Sequence, residues 1–283
     1  MNDMMKQILF TLLLALVANV DVIFAWDYEH VPIGDLYYNL DAANQMAEVT
    51  ESDTLNNYRG LTIANIPTSV EYNSVNYSVT NIGNGAFAWL NGLTSLTIGN
   101  SVKCIGDDAF IGCTGLSSVM IPNGVTTISD NAFSDCSNLT SVTIGNSVTG
   151  IGDRAFNSCS SLTSLTIGNS VKSIGNYAFV GCDHLTSVTI PNSVISIGDA
   201  AFSGCSALTQ VTIPYSVLSI GEFAFLGCSN LTSVLIPNSI PDIKRGAFAG
   251  CNKLKEIIIP QGTKQRFEQM EGLNGLQALL VEK

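Results

Sequence analysis

The sequence is poor in basic side chains and has almost no histidine. Of its 283 residues, 12 are Lys or Arg and two are His, against 23 Asp and Glu, so the formal net charge is −11. We therefore expect no nucleic acid partner, because contacts to phosphates need clustered cations. His184 lies at a variable loop position, and the sequence has no Ser nucleophile elbow and no phosphate-binding Gly loop. We predict no enzyme, no catalytic residue and no cofactor.

Closely spaced Cys and His pairs, which are the usual signature of a zinc site, are also missing from the sequence. Acidic residues do recur at one repeat position, and such a row could bind calcium if its members stacked. However, Asn84 and Asn176 interrupt the row. We favour capping of the adjacent turn by these side chains and predict no metal site. The acidic residues are Asp107, Asp130, Asp153 and Asp199, with Asp108 next to Asp107.

The chain lacks an apolar run of the about 20 residues that a membrane-spanning helix needs. Ile8–Val20 is the longest candidate, and Asp21 ends it. Lys6 before this run and Ala25 after it are typical of an export signal. We predict a cleaved signal peptide over residues 1–25 and a secreted or cell-surface protein with no membrane span in the mature chain. A membrane anchor is the alternative.

A phenylalanine recurs every 23 residues, eight times in succession, and its neighbourhood repeats with it. A fixed period of this length is the signature of a solenoid, in which one small unit stacks on the next. Each unit follows the pattern Ile-Gly-x-x-Ala-Phe-x-x-Cys-x-x-Leu-x-x-Val-x-Ile, followed by Pro or Gly. The repeating residues are Phe87, Phe110, Phe133, Phe156, Phe179, Phe202, Phe225 and Phe248.

The spacing inside a unit predicts its local structure. The Leu-x-x-Val-x-Ile part ends in period-two alternation, which indicates a short strand with its apolar residues facing inward. The Pro or Gly that follows turns the chain. Ala178, Phe179 and Cys182 have helical spacing, which predicts one short helical turn on the outer side of the unit.

These patterns predict a β-rich solenoid of about eight coils with a parallel sheet over residues 82–260. Residues 26–81 are predicted to form a small N-terminal β cap. In this cap, Val70–Val79 alternates around Asn73-Ser74 as in a two-strand hairpin, and Leu36–Leu40 reads as an earlier strand.

Residues 261–283 are predicted to form a C-terminal cap. Thr263 is a plausible helix cap, and Phe267 and Met270 have the i,i+3 spacing of one helix face. We expect a terminal helix here, followed by a final strand within Leu276–Val281.

Seven cysteines share one position of the repeat, and Leu90 takes that place in the first unit. The exchange with Leu indicates a buried, apolar slot. We favour buried free thiols over a disulfide ladder, because stacked side chains that point the same way suit disulfide geometry poorly. Cys104 lies outside this row, and we expect it to be exposed. The row comprises Cys113, Cys136, Cys159, Cys182, Cys205, Cys228 and Cys251.

The strand part of the unit resembles leucine-rich repeats. With Ile-Gly-x-x-Ala-Phe-x-x-Cys ahead of it, the stretch from Ile82 to Pro260 resembles the BspA-like family of exported bacterial surface proteins, and Ile66–Asn73 resembles that family's N-terminal cap. The resemblance implies a leucine-rich-repeat stack and adhesion to host matrix proteins and to other cells. The position that usually holds Asn or Cys is Ser170 here, with Asn169 one place earlier, so we expect no inward Asn ladder.

The outward residues of the predicted strands are the one feature suited to recognition. Alternation places two per unit on the same outer face of the sheet. Most are Ser or Thr, which suit strands and solubility without any ligand, whereas Met120, Gln210 and Leu235 break the uniform pattern, as do Glu256 and Ile258 in the last unit. The candidate partner-binding residues are Ser118, Met120, Ser141, Thr143, Ser164, Thr166, Ser187, Thr189, Gln210, Thr212, Ser233 and Leu235.

Three functions remain open at this stage. The first is an exported adhesion or interaction protein, expected to be a monomer, that binds a protein or glycan at a cell surface or matrix through these outward residues. The second is a structural scaffold without a ligand of its own. The third is a Ser/Thr ladder that binds an ordered lattice such as ice, for which the strand spacing of about 4.8 Å is the reason.

Overall fold

The computed structural model describes residues 26–51, 58 and 60–283. The predicted signal peptide over residues 1–25 lies outside the described residues. In chain order, the strands are Tyr28–Ile33 (β1), Leu36–Asp41 (β2), Met46–Thr50 (β3), Ile63–Ile66 (β4), Ser69–Tyr72 (β5), Val75–Ile82 (β6), Ser95–Ile98 (β7), Cys104–Ile105 (β8), Ser118–Ile121 (β9), Thr127–Ile128 (β10), Ser141–Ile144 (β11), Gly150–Ile151 (β12), Ser164–Thr166 (β13), Ser173–Ile174 (β14), Ser196–Ile197 (β15), Gln210–Thr212 (β16), Ser219–Ile220 (β17), Ser233–Leu235 (β18), Glu256–Ile259 (β19) and Leu280–Glu282 (β20).

These strands build a solenoid of about nine turns, one more than predicted. The additional turn is contributed by β4, which pairs in parallel with β7 ahead of the first phenylalanine unit. Each full coil has three sides. We call them the strand face, the second ladder and the turn column.

The N-terminal strands form the predicted β structure. β1, β2 and β3 make an antiparallel meander, and the predicted early strand at Leu36–Leu40 is confirmed as part of β2. The predicted hairpin is confirmed as β5 and β6, joined at Asn73 and Ser74, which both have positive φ angles. β6 also pairs in parallel with β3 and with β8, so it joins the cap to the first coils.

The strand face consists of β4, β7, β9, β11, β13, β16, β18 and β19, with parallel pairing in three sections. The sections are β4–β7, β9–β11–β13, and β16–β18–β19, which β20 extends. The predicted strand at Ser187–Thr189 is wrong, because residues 185–190 form no assigned strand.

The second ladder consists of the two-residue strands β8, β10, β12, β14, β15 and β17. Unlike the strand face, it is continuous: each strand pairs with the next in parallel, and a bridge from Ile220 to Ile243 extends it. Its isoleucines are buried, as the predicted inward direction of Ile174 requires.

The turn column contains the stacked segments that carry the eight phenylalanines. The predicted helical turn is wrong, because these segments are successive turns without helix. In the fifth unit Tyr177 and Gly181 both have positive φ angles, which an α-helix cannot contain. Main-chain hydrogen bonds such as Phe156 N to Ala178 O, at 2.8 Å, instead run from one coil to the next.

The phenylalanine rings form one stack through the core. Neighbouring ring centroids lie 5.0 to 5.5 Å apart from Phe87 to Phe248, in nearly parallel planes. Tyr58 continues the stack over Phe87 at 5.2 Å. The rings are buried, as predicted for an inner packing residue.

The C-terminal segment contains little helix. One four-residue α-helix, Lys264–Phe267 (α1), is followed by single 3-10 turns at Glu271–Leu273 and Gln277–Leu279. The predicted terminal helical cap is therefore not confirmed, and Thr263 donates its hydroxyl to Pro260 O instead of capping α1. The expected final strand is confirmed as β20, which pairs in parallel with β19.

Candidate interaction surface

The predicted binding residues lie side by side on the strand face wherever the strands pair. In the middle section, β9–β11–β13, the residues Ser118, Ser141 and Ser164 stand opposite one another. Their partners two residues later, Met120, Thr143 and Thr166, form a second row. In the C-terminal section, Gln210 lies opposite Ser233, and Thr212 lies opposite Leu235. Sequence alternation thus places these residues on one outer face.

Ser187 and Thr189 are exposed, but they lie in the unpaired coil between the two sections. Gly168 follows β13 so near the preceding coil that an added Cβ would overlap the carbonyl of Gly145, whereas the corresponding residue of the next coil is Pro191. Proline at this position does not by itself break the pairing, because β16, β18 and β19 pair although Pro214, Pro237 and Pro260 follow them. The candidate residues of the strand face therefore lie in two paired sections, which are separated by an unpaired coil.

The polar candidate residues of the strand face have side chains that are free of hydrogen bonds within the protein. Among the described residues, none of the ten Ser, Thr and Gln members of the candidate set makes a side-chain hydrogen bond within the protein. The threonines one place before each strand differ: Thr140 Oγ1 donates to Ser117 O at 2.9 Å, and Thr163 Oγ1 donates to Thr140 O at 3.1 Å. One Thr row therefore holds the coils together, while the candidate row leaves its donors and acceptors free for another molecule.

The apolar departures from the Ser/Thr pattern differ in exposure. Met120 is 72% exposed and Leu235 is 38% exposed. Ile258 was expected to be exposed as well, but it is half-buried, and Val281 of β20 lies opposite it in the added strand pair. Met120 and Leu235 therefore provide the apolar contact area of the candidate residues, and Ile63 of β4 is 52% exposed on the same face.

The repeat sequence matches a known family over most of its length. The model of the BspA type leucine rich repeat region matches in six copies, over residues 64–185 and 172–270. The chain belongs to the BspA-type leucine-rich-repeat family. Comparison with curated proteins finds no match.

Solved structures of bacterial leucine-rich-repeat proteins resemble this BspA-type chain. The Treponema pallidum leucine rich repeat protein (TpLRR) is 25% identical, with a TM-score of 0.62, over 84% of this chain and 94% of that one. A leucine-rich repeat protein from Bacteroides ovatus is 28% identical over 83% of this chain and 71% of that one, with a TM-score of 0.48. A leucine rich cell surface protein from Faecalibacterium prausnitzii is 21% identical over 85% and 97%, with a TM-score of 0.40. The first of these supports the solenoid architecture.

The acidic row of the BspA-type repeats is a structural feature. Asp130 Oδ1 accepts a hydrogen bond from Asp153 N at 2.7 Å, and Asp153 Oδ1 accepts one from Asn176 N at 2.7 Å. The predicted capping is therefore modified: each side chain caps the equivalent residue of the next coil rather than its own turn. Asn84 and Asn176 continue this row because an amide oxygen accepts the same bond. Within the described residues, no group of His, Cys, Asp and Glu is arranged to hold a metal ion.

A second side-chain ladder was missed. Asn146 N donates to Asn123 Oδ1 at 2.7 Å, and Asn169 N donates to Asn146 Oδ1 at 3.0 Å. These asparagines are exposed, so the expectation of no inward ladder stands, but an outward one exists. The recurrence of Asn after Pro or Gly was the available signal.

The cysteine row is buried, and its thiols are free, as predicted. Burial raises the pKa of the Cys159 and Cys205 thiols to about 12, so both stay protonated near neutral pH. Cys104 is half-buried rather than exposed, with its Sγ 3.8 Å from Ser129 Oγ.

One exposed apolar corner was also missed by the sequence analysis. Ile195 and Leu218 occupy the same repeat position in neighbouring coils. A main-chain hydrogen bond from Leu218 N to Ile195 O, at 2.8 Å, joins the two coils there. Tyr215, three residues before Leu218, is 70% exposed. The signal was available, since Tyr215 stands where most units have Asn, and Ile195 and Leu218 stand where others have Thr or Lys.

Proposed function

We propose that the chain is exported and acts as an adhesion or interaction protein, binding a protein or glycan of a cell surface or matrix through the strand face. The observation that carries the proposal is the uncommitted row of Ser, Thr and Gln side chains. Sugars and peptide backbones both offer hydroxyl, amide or carbonyl groups that such a row can pair with. The exposed side chains of Met120 and Leu235 add apolar contact within the polar surface.

Export is the second part of the proposal, and it is supported by the residues that precede Trp26. BspA-type repeats occur in bacterial surface-type proteins, and the Faecalibacterium relative is described as a cell surface protein. Within the described residues, none of the helices combines the length and hydropathy that a bilayer crossing requires. A cleaved signal over residues 1–25 would give a secreted or surface-bound monomer.

The test is a binding screen of residues 26–283 against arrayed glycans, matrix proteins and whole cells. A triple variant, Thr166→Lys, Thr189→Lys and Thr212→Lys, adds bulk and charge to the strand face. Its matched control is Thr126→Lys, Thr149→Lys and Ile195→Lys. This control adds the same charge at a repeat position where the chain already has Lys103 and Lys172.

The expected result is binding that the strand-face variant loses and the control variant keeps. Equal binding by both variants would indicate that the binding site lies on another face of the solenoid. Binding to none of the probes would favour a scaffold without a ligand of its own. Lattice binding would appear as thermal hysteresis, which the interrupted strand face does not favour, because an ordered lattice needs a regular surface.

A further inference from the structure

In the turn column, the main-chain hydrogen bonds that join one coil to the next all point in one direction. Each unit donates three N–H groups, at alternate residues, to three carbonyls of the following unit. The last such set runs from Phe223 N to Arg245 O at 3.1 Å, from Phe225 N to Ala247 O at 2.8 Å and from Gly227 N to Ala249 O at 2.8 Å. The same three bonds join every earlier pair of units from Gly85 onward.

This order gives the turn column two different ends. The carbonyls face the N-terminal end, and the N–H groups face the C-terminal end. Peptide dipoles aligned in this way sum as they do in a helix, so the C-terminal end carries partial positive charge.

The C-terminal segment covers two sides of the last coil and leaves the third open. β20 pairs with β19 on the strand face, and Gly272 N donates to Ile243 O at 2.9 Å on the second ladder. On the turn column, the corresponding donors are the N–H groups of Gly246, Phe248 and Gly250. None of the described residues accepts a hydrogen bond from these three groups.

The last unit also has no side chain at the two ends of this row, which are glycines. Gly246 and Gly250 have φ angles of 67° and 72°. At the same two positions, the fourth unit has Arg154 and Ser158. The row faces a cleft of about 440 Å³, whose other wall is formed by residues 271–276. Another main chain can therefore approach the row without meeting a side chain at Gly246 or Gly250, although Arg245 and Asn252 of this unit also line the cleft.

We infer that this end of the turn column binds a peptide segment of a partner protein, whose main-chain carbonyls at alternate residues complete the row. The preceding coils show the complementary chemistry, because carbonyls at alternate residues accept the same donors there. Backbone pairing with an open edge is an established mode of peptide recognition. A compact anion such as phosphate fits less well, since the donors are spread over five residues rather than converging. This site is separate from the strand face.

The first measurement is amide hydrogen exchange on residues 26–283. We expect the Phe248 and Gly250 amides to exchange at least about tenfold faster than those of Phe225 and Gly227, which are bonded to the next coil. Equal protection of the two pairs would show that the row is already covered and would overturn the inference.

The second measurement selects random octapeptides displayed on phage against the same protein. The blocking variant is Gly250→Asp, which the fold should accept because Asp135 holds the equivalent position with φ 59°. The matched control is Gly227→Asp, at the same repeat position in a coil whose row is already paired.

Peptides that lose about tenfold or more in affinity for Gly250→Asp, and keep their affinity for Gly227→Asp, would support the site. In isotope-labelled protein, the bound peptides should also slow the hydrogen exchange of the Gly246, Phe248 and Gly250 amides. No enrichment, equal affinity for both variants, or displacement by inorganic phosphate would overturn it. The strand-face lysine variant should bind the same peptides unchanged, so this outcome is independent of the proposed adhesion function.

Discussion

The thiol of Cys159 donates a hydrogen bond to the main-chain oxygen of Phe133 in the preceding coil, with Sγ and O 3.3 Å apart. The other six cysteines of the row make the same bond across 26 residues. A cysteine at this position therefore fills an apolar slot and also satisfies a buried carbonyl, which the Leu90 of the first unit cannot do.

The first prediction concerns this bond. Cys159→Ala removes the donor and leaves a small void, so we expect a loss of about 1–3 kcal/mol in the free energy of unfolding. Cys104→Ala is the control, because Cys104 is half-buried and only 3.8 Å from a hydroxyl. Urea denaturation followed by circular dichroism would measure both. A midpoint shift of equal size in the two variants would contradict the assigned role.

The second prediction concerns alkaline pH. Burial raises the pKa of the Cys159 and Cys205 thiols from 9.0 to about 12 in the folded protein. Above pH 9 the unfolded chain therefore loses protons that the folded chain still holds, so stability is present below pH 9 and falls as the pH rises through about 12. Melting temperatures measured from about pH 7 to about pH 11 should decline above pH 9.

The control for this pH dependence is the double variant Cys159→Ala and Cys205→Ala, which removes two of the titrating groups. It should melt lower at neutral pH, but its decline above pH 9 should be shallower. A decline as steep as that of the unmodified protein would assign the alkaline sensitivity to other groups, such as Tyr38, whose pKa burial also raises to about 12.

The third prediction concerns the ring stack. Phe156 lies 5.3 Å from Phe133 and 5.4 Å from Phe179, with planes within 3° of parallel. Phe156→Ala should cost about 3–5 kcal/mol, because it opens a cavity in the middle of the stack. Tyr177→Ala is a suitable control: Tyr177 is 41% exposed, and Ala200 already occupies the same repeat position. Similar denaturation midpoints for the two variants would argue against the stack as the main support of the core.

Much of this fold follows from the period of the sequence. Once Phe156 is placed inside, the inward direction of Cys159, Leu162 and Ile167 follows from spacing alone, and the outward direction of Ser164 and Thr166 follows from alternation. Such patterns are local, since they depend on residues within one unit and on the repetition of that unit.

The turns and the sheet breaks could not be predicted in this way. The i,i+3 spacing of Phe156 and Cys159 fits a helical turn and a pair of successive turns equally well, and the choice is made by hydrogen bonds to the next coil. Ser187–Thr189 alternates as Ser164–Thr166 does, yet only the second forms a strand. Pairing depends on the fit of two neighbouring coils, which a single unit does not encode.

The candidate binding surface was also predictable from the sequence only in part. Its residues were predicted from alternation, but their hydrogen bonds were not. Thr163 and Thr166 are both exposed threonines of one coil, yet only Thr163 is bonded to the preceding coil. The difference arises from the direction of each side chain relative to its neighbour.

The last prediction concerns the acidic row. Asp130 Oδ1 accepts a hydrogen bond from Asp153 N, and its own N–H donates to Asp107 Oδ1 at 3.1 Å. Asp130→Ala leaves the Asp153 amide without this acceptor, so we expect a loss of about 0.5–1.5 kcal/mol. Asp130→Asn should change stability little, because Asn176 makes the same bond to Asp199 N at 2.8 Å in a later coil.

Melting temperatures of both variants, measured with added calcium and with a chelator, would separate the two roles of the row. If the row only links coils, Asp130→Asn melts close to the unmodified protein under both conditions, and Asp130→Ala melts lower under both. A calcium-dependent rise in melting temperature that Asp130→Asn abolishes would instead make this row an ion site. The hydrogen bonds between coils argue for the first outcome, because the Oδ1 atom of each such carboxylate already accepts a hydrogen bond from a main-chain N–H of the next coil.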